Sequence, residues 1–108
     1  MPSTEKIVVL SNCTSLSEAQ RIAKALVERN LAACVSVGSA PIESTYRWEG
    51  EIETAKEFLL LAKTSRDRFS AVEQAIRELH SYEVPEIIAI AIEAGSEDYM
   101  AWLDESLK

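Results

Sequence analysis

The chain has 108 residues, a formal net charge of −7 and a hydrophobic content of 47%. This length favours a single domain over residues 1–108, with a core that requires neither metal nor disulfides to fold. The negative charge argues against a nucleic-acid or anionic-membrane partner, because both need a basic surface. No apolar run approaches the roughly 20 residues of a membrane span. Residues 1–6 lead directly into a strand-like segment and do not resemble a signal peptide, so we expect a cytoplasmic protein. Cys13 and Cys34 form no Cys-x-x-Cys pair, and in a reducing compartment we expect them to be free thiols.

Hydrophobic periodicity and turn residues predict seven elements along the chain. In order, these are a strand over 7–10, a helix over 16–29, a strand over 33–37, a hairpin over 42–64, a helix capped at Thr64 or Ser65 and ending near His80, a strand over 87–92, and a last helix capped at Ser96. Residues 11–14 predict a polar exit loop. Ser15 and Glu18 form a capping box, and Asn30 suits the left-handed residue that ends a helix.

The hairpin over residues 42–64 is the longest predicted element. Its arms meet at Trp48–Glu51, where Gly50 can adopt the positive φ that a tight turn requires. The arms are longer than the typical strand of about 5 to 6 residues, so we expect the tip to project beyond the core. Pro41 cannot donate a ladder hydrogen bond, and we therefore expect a sheet edge with a bulge just before the hairpin.

The order βαββαβ with an additional C-terminal helix predicts an α+β fold. Right-handed crossovers place both inner helices on one face of an antiparallel sheet, which is the ferredoxin-like sandwich. The segments 7–10, 58–62 and 87–92 are apolar at consecutive positions, so we expect both sheet faces to be buried. Little chain remains to cover the second face, which favours packing against identical faces in other subunits. The alternative is a monomer whose C-terminal helix covers that face.

Five blocks of the sequence resemble the CutA divalent-cation tolerance family. They are Leu31–Cys34, Tyr46–Gly50, Glu57–Thr64, His80–Ile87 and Tyr99–Leu103, in family order and over nearly the whole chain. The resemblance implies a ferredoxin-like subunit, similar to PII signalling proteins, that assembles into a stable homotrimer through hairpins and sheets. It also implies a link to copper and other divalent metals and no established enzymatic reaction. A further protein partner that recognises the trimer stays open.

The resemblance also implies where copper would bind. In the family, copper binding is associated with a cysteine at the end of the first strand and histidines at the end of the second helix. Here Leu79 precedes His80, and Ser11 holds the cysteine position with Cys13 two residues further along. Copper favours thiolate and imidazole, so we predict a weak site for Cu(II) or another divalent cation at Cys13, His80 and Glu86. The helix dipole alone also favours a histidine at a helix C-terminus.

A second candidate site is a ligand cleft between subunits. Tyr46 and Trp48 would line this cleft, and Glu57, Lys63 and Tyr82 would supply polar groups. The alternative is that the aromatic side chains only pack in an interface and that Glu57 and Lys63 form a structural pair.

Two other functions compete with a metal-linked protein. A PII-like regulator that responds to nucleotides or small molecules would need a Gly-rich or basic phosphate-binding loop, whereas the hairpin tip has one glycine and an acidic flank. An acylphosphatase-like hydrolase would need an arginine in the loop after the first strand. Residues 11–17 contain no basic residue, and the next one is Arg21 inside the first helix. We therefore expect a binding protein and not an enzyme.

Overall fold

The computed structural model describes residues 5–108. Its elements are β1 (Lys6–Cys13), α1 (Leu16–Glu28), β2 (Cys34–Val37), β3 (Ile42–Trp48), β4 (Glu51–Ser65), α2 (Phe69–Leu79), β5 (Ile88–Ala91) and α3 (Glu97–Ser106). The strands form an antiparallel sheet in the order β2-β4-β1-β5, and β3 pairs with the far half of β4. This order confirms the predicted ferredoxin-like α+β fold. The helices within residues 5–108 are all too short or too polar to serve as membrane spans.

Local sequence signals set both ends of α1. The Ser15 hydroxyl accepts a hydrogen bond from the Glu18 backbone N–H at 3.1 Å. The Glu18 carboxylate accepts in turn from the Thr14 N–H at 3.0 Å, one residue before the N-cap. This is the predicted capping box with its return bond shifted by one residue. At the other end Asn30 has a φ of 60°, which confirms the predicted left-handed residue.

A two-residue turn joins β3 to β4. Glu49 and Gly50 have φ angles of 49° and 84°, and Trp48 pairs with Glu51 across the turn. Two consecutive positive φ angles are typical of the type I′ turn, whose twist matches that of the flanking strands. All residues from 45 to 54 are exposed, so the hairpin tip projects from the core as predicted.

The edge of the sheet next to Pro41 contains the predicted irregularity. Val37 of β2 pairs with Leu60, and Ile42 of β3 pairs with Glu57. Four residues between β2 and β3 therefore lie opposite only two residues of β4, which is an enlarged bulge. The bulge lets one continuous strand, β4, pair with both β2 in the core and β3 in the projecting arm.

The two faces of the sheet differ in how well they are covered. The helices α1 and α2 cover one face, where the fully buried aliphatic side chains are Ile7, Val9, Ala19, Ile22, Leu26, Leu60, Ala62, Val72 and Ile76. Alternation along β1 places Lys6 on the opposite face, and its ammonium bonds the Asp104 carboxylate of α3 at 2.9 Å. The helix α3 thus covers one end of that face. Further along it, Ile88 and Ile90 are 47% and 52% exposed.

Strand β1 is longer than the sequence predicted. The expected exit loop over residues 11–14 was wrong, because residues 11–13 pair with residues 58–60 of β4. The long β4 continues to offer ladder partners, so the backbone groups of these polar residues are hydrogen-bonded and their side chains are buried. This extension carries Asn12 and Cys13 into the interior of the molecule.

The predicted cap of α2 at Thr64 or Ser65 was also wrong. Both residues belong to β4, and a single 3-10 turn over Arg66–Arg68 separates them from α2. The Ser65 hydroxyl donates to the Asp67 carboxylate instead of accepting from a helix N–H. The end of α2 at Leu79, directly before His80, agrees with the sequence.

Candidate functional site

A buried cluster of three potential ligands lies where β1, α1 and α2 meet. The Cys13 thiol, the Glu18 carboxylate and the His80 imidazole each place one donor atom within 4.8 Å of the other two, and all three residues are buried. Cys13 ends β1, Glu18 lies in the first turn of α1, and His80 follows α2. The structure therefore brings together two of the three predicted metal ligands, with Glu18 and not Glu86 as their neighbour.

Both ring nitrogens of His80 are hydrogen-bonded. Nδ1 accepts the Tyr82 backbone N–H at 3.0 Å, and Nε2 lies 2.6 Å from the Asn12 carbonyl oxygen. A ring nitrogen that accepts an N–H carries no proton, so the proton is on Nε2 and is donated to Asn12. His80 is therefore a neutral imidazole of one defined tautomer. A metal ion would have to replace one of these two hydrogen bonds.

The Glu18 carboxylate joins two loops. Its Oε1 accepts from the backbone N–H of Thr14 at 3.0 Å and from the Thr14 hydroxyl at 3.2 Å, and its Oε2 accepts from the Ser81 N–H at 2.8 Å. Burial raises the pKa of this carboxyl, but the hydrogen bonds from Thr14 and Ser81 outweigh burial and hold the pKa below its ordinary value. Glu18 is therefore ionised and supplies the negative charge of the cluster.

Cys13 is a protonated thiol with no solvent exposure. Burial raises its pKa to about 12, and the negative charges of Glu18 and Glu57 act in the same direction. A metal ion that binds sulfur would have to displace this proton. Sulfur, imidazole nitrogen and carboxylate oxygen together suit copper or zinc. The donor types therefore fit a divalent cation, provided that the existing hydrogen bonds are exchanged for metal bonds.

A cavity of about 510 Å³ lies at the base of the hairpin. Its lining residues, from β1, β3, β4 and the loop after α2, are Asn12, Ser44, Thr45, Tyr46, Trp48, Glu57, Tyr82, Glu83, Val84 and Glu86. The Tyr82 hydroxyl donates to the Glu57 carboxylate at 2.6 Å, and the Asn12 amide donates to Glu86 at 2.8 Å. Burial and the adjacent Glu57 charge raise the pKa of Tyr82, which therefore stays a neutral donor.

Four of the five residues predicted for the cleft line this cavity, namely Tyr46, Trp48, Glu57 and Tyr82. The fifth, Lys63, does not, because it lies six residue steps along the extended strand from Glu57, or about 20 Å. The Lys63 ammonium donates to the Ser36 hydroxyl at 2.9 Å. Glu57 therefore bonds Tyr82 of the same chain and does not pair with Lys63 of that chain.

Sequence reasoning missed Glu18 and Asn12 as site residues. Glu18 was fully explained as a helix cap, and Asn12 was assigned to a loop. Asn12 pairs with Leu59 of the long strand β4. The length of β4 was therefore the signal that the first strand could extend to Asn12. Glu86, predicted as a ligand, lies in the cavity, where it accepts the Asn12 amide.

The fold is a ferredoxin-like α+β domain with a projecting hairpin, and it carries a buried sulfur–nitrogen–oxygen donor cluster and a cavity lined by carboxylates. The family described as CutA1 divalent ion tolerance protein matches residues 7–106, and the chain belongs to this family.

Two relatives share this similarity over nearly their full length. The divalent-cation tolerance protein CutA of Archaeoglobus fulgidus is 46% identical over 94 residues, which cover 87% of this chain and 90% of that protein. The Thermus thermophilus protein of the same name is 44% identical over 99 residues, which cover 92% and 95%. The solved structure of the Archaeoglobus protein, described as periplasmic, has a TM-score of 0.91 at 42% identity and covers 95% of this chain and 99% of that one.

Proposed function

We propose that this protein is a homotrimeric, non-catalytic binding protein that binds copper or another divalent cation weakly through Cys13 and His80, with Glu18 as the third donor. The observation that carries the proposal is the convergence of thiol, imidazole and carboxylate within 4.8 Å. The names of the two relatives, which refer to divalent-cation tolerance, support it. The net charge of −7 also attracts cations to the molecule.

Each residue of the cluster has a separate role in this proposal. Glu18 is already ionised and offsets the charge of the cation. His80 supplies a neutral imidazole, whose tautomer is fixed by Asn12 and Tyr82. Cys13 supplies sulfur after releasing its proton. Metal binding requires Cys13 to lose its proton and requires His80 and Glu18 to give up hydrogen bonds. The expected affinity is therefore weak compared with that of an open, preformed metal site.

A titration of chelator-treated protein tests the metal site. With Zn(II), which does not oxidise thiols, we expect one saturable site per subunit with a dissociation constant below millimolar in calorimetry. Cys13→Ser and His80→Gln are each expected to weaken binding at least tenfold, whereas Cys34→Ser serves as the matched thiol control and Glu86→Gln as the matched carboxylate control. Equal affinity in Cys13→Ser and Cys34→Ser would refute the assignment, and so would the absence of sub-millimolar binding.

The homotrimer is supported by the incompletely covered sheet face. Ile88 and Ile90 are about half exposed there, and the neighbouring Leu10, Leu59 and Leu61 are only partly buried. Full burial of a large aliphatic side chain contributes about 1.5–3 kcal/mol, so covering several half-exposed side chains with other subunits contributes several kcal/mol.

Light scattering after size-exclusion chromatography at low micromolar concentration tests the assembly. A mass near three times 12.0 kDa is expected. Ile90→Lys should shift the mass towards one subunit while far-UV circular dichroism stays unchanged. Ala71→Lys, an equivalent substitution on the exposed surface of α2, should leave the trimer intact. A single-subunit mass for the parent protein would end the trimer proposal.

The competing functions gain no support from the cavity. None of the described residues that line it is a lysine or arginine, so it has no positively charged side chain for a nucleotide phosphate, and its carboxylates would repel one. For the location of the protein we propose the cytoplasm, supported by its two free cysteines. Detection of the protein in a periplasmic or organelle fraction would contradict this location.

A further inference from the structure

The cavity at the hairpin base is lined by negatively charged and aromatic side chains. Its charged and aromatic lining residues are Glu57, Glu83, Glu86, Tyr46, Trp48 and Tyr82, and no described lining residue carries a positive charge. Carboxylates attract cations directly, and the faces of aromatic rings attract them through the ring quadrupole. The lining is therefore matched to a positively charged occupant and repels anions.

Two buried acceptor groups at the cavity, in Glu57 and Asn12, would gain a charge partner or a hydrogen-bond donor from a bound cation. The Glu57 side chain is 5% exposed, and its hydrogen-bond donor is the neutral Tyr82 hydroxyl. Within residues 5–108, none of the ion pairs includes Glu57. Asn12 is 9% exposed, and its amide oxygen is buried without any hydrogen-bond partner. A buried carboxylate without a cation is unfavourable, and so is a buried amide oxygen without a donor.

The size and spacing of the cavity favour an organic cation over a bare metal ion. Within residues 5–108, three ligand-type side chains converge to within 4.8 Å only at Cys13, Glu18 and His80, so the cavity carboxylates are too dispersed for one ion. The cavity volume of about 510 Å³ is in the range of small-molecule sites. Aromatic side chains beside carboxylates are the surroundings in which proteins bind ammonium groups.

We propose that this cavity binds a small organic cation with one or two ammonium groups. Glu57 and Glu86 accept its N–H donors, and Tyr46 and Trp48 contact its alkyl chain and its charge. None of the three donor residues of the metal cluster lines the cavity, although Asn12 and Tyr82 contact both sites, through their backbones on one side and their side chains on the other. The proposal therefore does not rest on the proposed metal function, and either can fail without the other.

Calorimetry with a pair of isosteric probes tests the proposal. In low salt and with a chelator present, 1,4-diaminobutane should bind saturably with a dissociation constant below millimolar, while 1,4-butanediol, which has the same chain length without charge, should give no saturable heat. Raising the salt to 0.5 M should weaken the diamine severalfold, because screening reduces attraction between charges. Equal heats for the diamine and the diol would overturn the proposal. The absence of saturable diamine binding would also overturn it. That result is expected if a side chain from a second copy of the chain fills the cavity.

Variants with matched controls locate the binding. Glu57→Gln keeps an oxygen that accepts from Tyr82 but removes the charge, and should weaken diamine binding roughly tenfold or more. Glu97→Gln removes the same charge from an exposed position on α3 and should bind like the parent. Trp48→Leu, at a residue 45% exposed on the hairpin, gives a second variant that leaves the core untouched and should also bind more weakly. If Glu57→Gln and Trp48→Leu both bind like Glu97→Gln, binding reflects net charge alone and the site is refuted. Zn(II) binding should be retained in Trp48→Leu, whose side chain is not part of the metal cluster.

Discussion

Glu18→Gln tests whether one buried carboxylate holds two loops together. The carboxylate accepts hydrogen bonds from the Thr14 N–H, the Thr14 hydroxyl and the Ser81 N–H. A glutamine at this position retains a single oxygen, so its NH₂ group must face one of the N–H donors that Glu18 now accepts. The substitution therefore changes hydrogen bonding and charge without removing volume from the core.

The magnitude follows from the bonds that are lost. A hydrogen bond to a charged acceptor contributes about 1.5–3 kcal/mol. Thr14 and Ser81 are exposed, and water can partly replace the lost acceptor, so we take the lower part of the range. The expected loss in free energy of unfolding is about 2 kcal/mol, or roughly a 30-fold change in the equilibrium constant.

Guanidinium unfolding at pH 7 measures this loss, with the parent and the variant compared at the same protein concentration, because the midpoint of the proposed trimer would depend on concentration. Glu28→Gln is the matched control: it removes the same charge at the exposed last residue of α1, where a negative charge is unfavourable. It should be neutral or slightly stabilising. A Glu18→Gln variant as stable as Glu28→Gln would refute the proposed tie between the loops.

The pH dependence gives a second check on the same residue. The folded-state pKa of Glu18 lies below its ordinary value of 4.5, so the ionised carboxylate favours the folded state. Its contribution is fully present above about pH 4.5 and is lost as the pH falls through the folded-state pKa. The difference in stability between the parent and Glu18→Gln should therefore narrow in acid. A difference that stays constant down to pH 3 would contradict this reasoning.

Three further predictions address the core, the turn and the thiol. Leu60→Ala removes a fully buried side chain and should lower the free energy of unfolding by about 2–5 kcal/mol in denaturant titrations. Gly50→Ala meets no atom within 4 Å but must keep a φ of 84°, so it should cost about 1 kcal/mol through backbone strain; an unchanged midpoint would contradict this. Cys13, with a pKa of about 12 and no exposure, should resist iodoacetamide at pH 8 until denaturant is added. Mass spectrometry of the peptides checks this, and rapid native modification would show that the thiol is accessible.

The sequence best predicted the helix ends and the tight turn, because these features depend on residues a few positions apart. Ser15 and Glu18 predicted the start of α1, and Asn30 predicted its end, because capping bonds and left-handed residues act within a few positions. Gly50 predicted the hairpin turn for the same reason. The apolar segments of three strands predicted the sheet, and the order of the elements then left the ferredoxin-like fold as the simple connection.

The site was harder to predict, because its residues depend on partners far away in the chain. Cys13 becomes buried only because β4 is long enough to pair with it at Phe58. Glu18 serves as a cap by its local pattern, and its bond to Ser81 depends on where α2 ends. The separation of Lys63 from Glu57 follows from strand geometry. The cavity residues were found because their residue types suggested a ligand, whereas their mutual geometry needed the fold.

The strand β4 connects the projecting hairpin to the core of the chain. It runs without a break from Glu51 to Ser65, and hydrogen bonds tie it to β3 along its outer half and to β1 and β2 along its inner half. The β3 ladder ends at Glu57, and the β1 ladder begins at the next residue of β4, Phe58. No ladder spans this junction, so it is the point along β4 where bending breaks no ladder bond. A partner that binds the exposed tip near Trp48 therefore acts on the core through this junction, and Glu57 of the cavity lies directly at it.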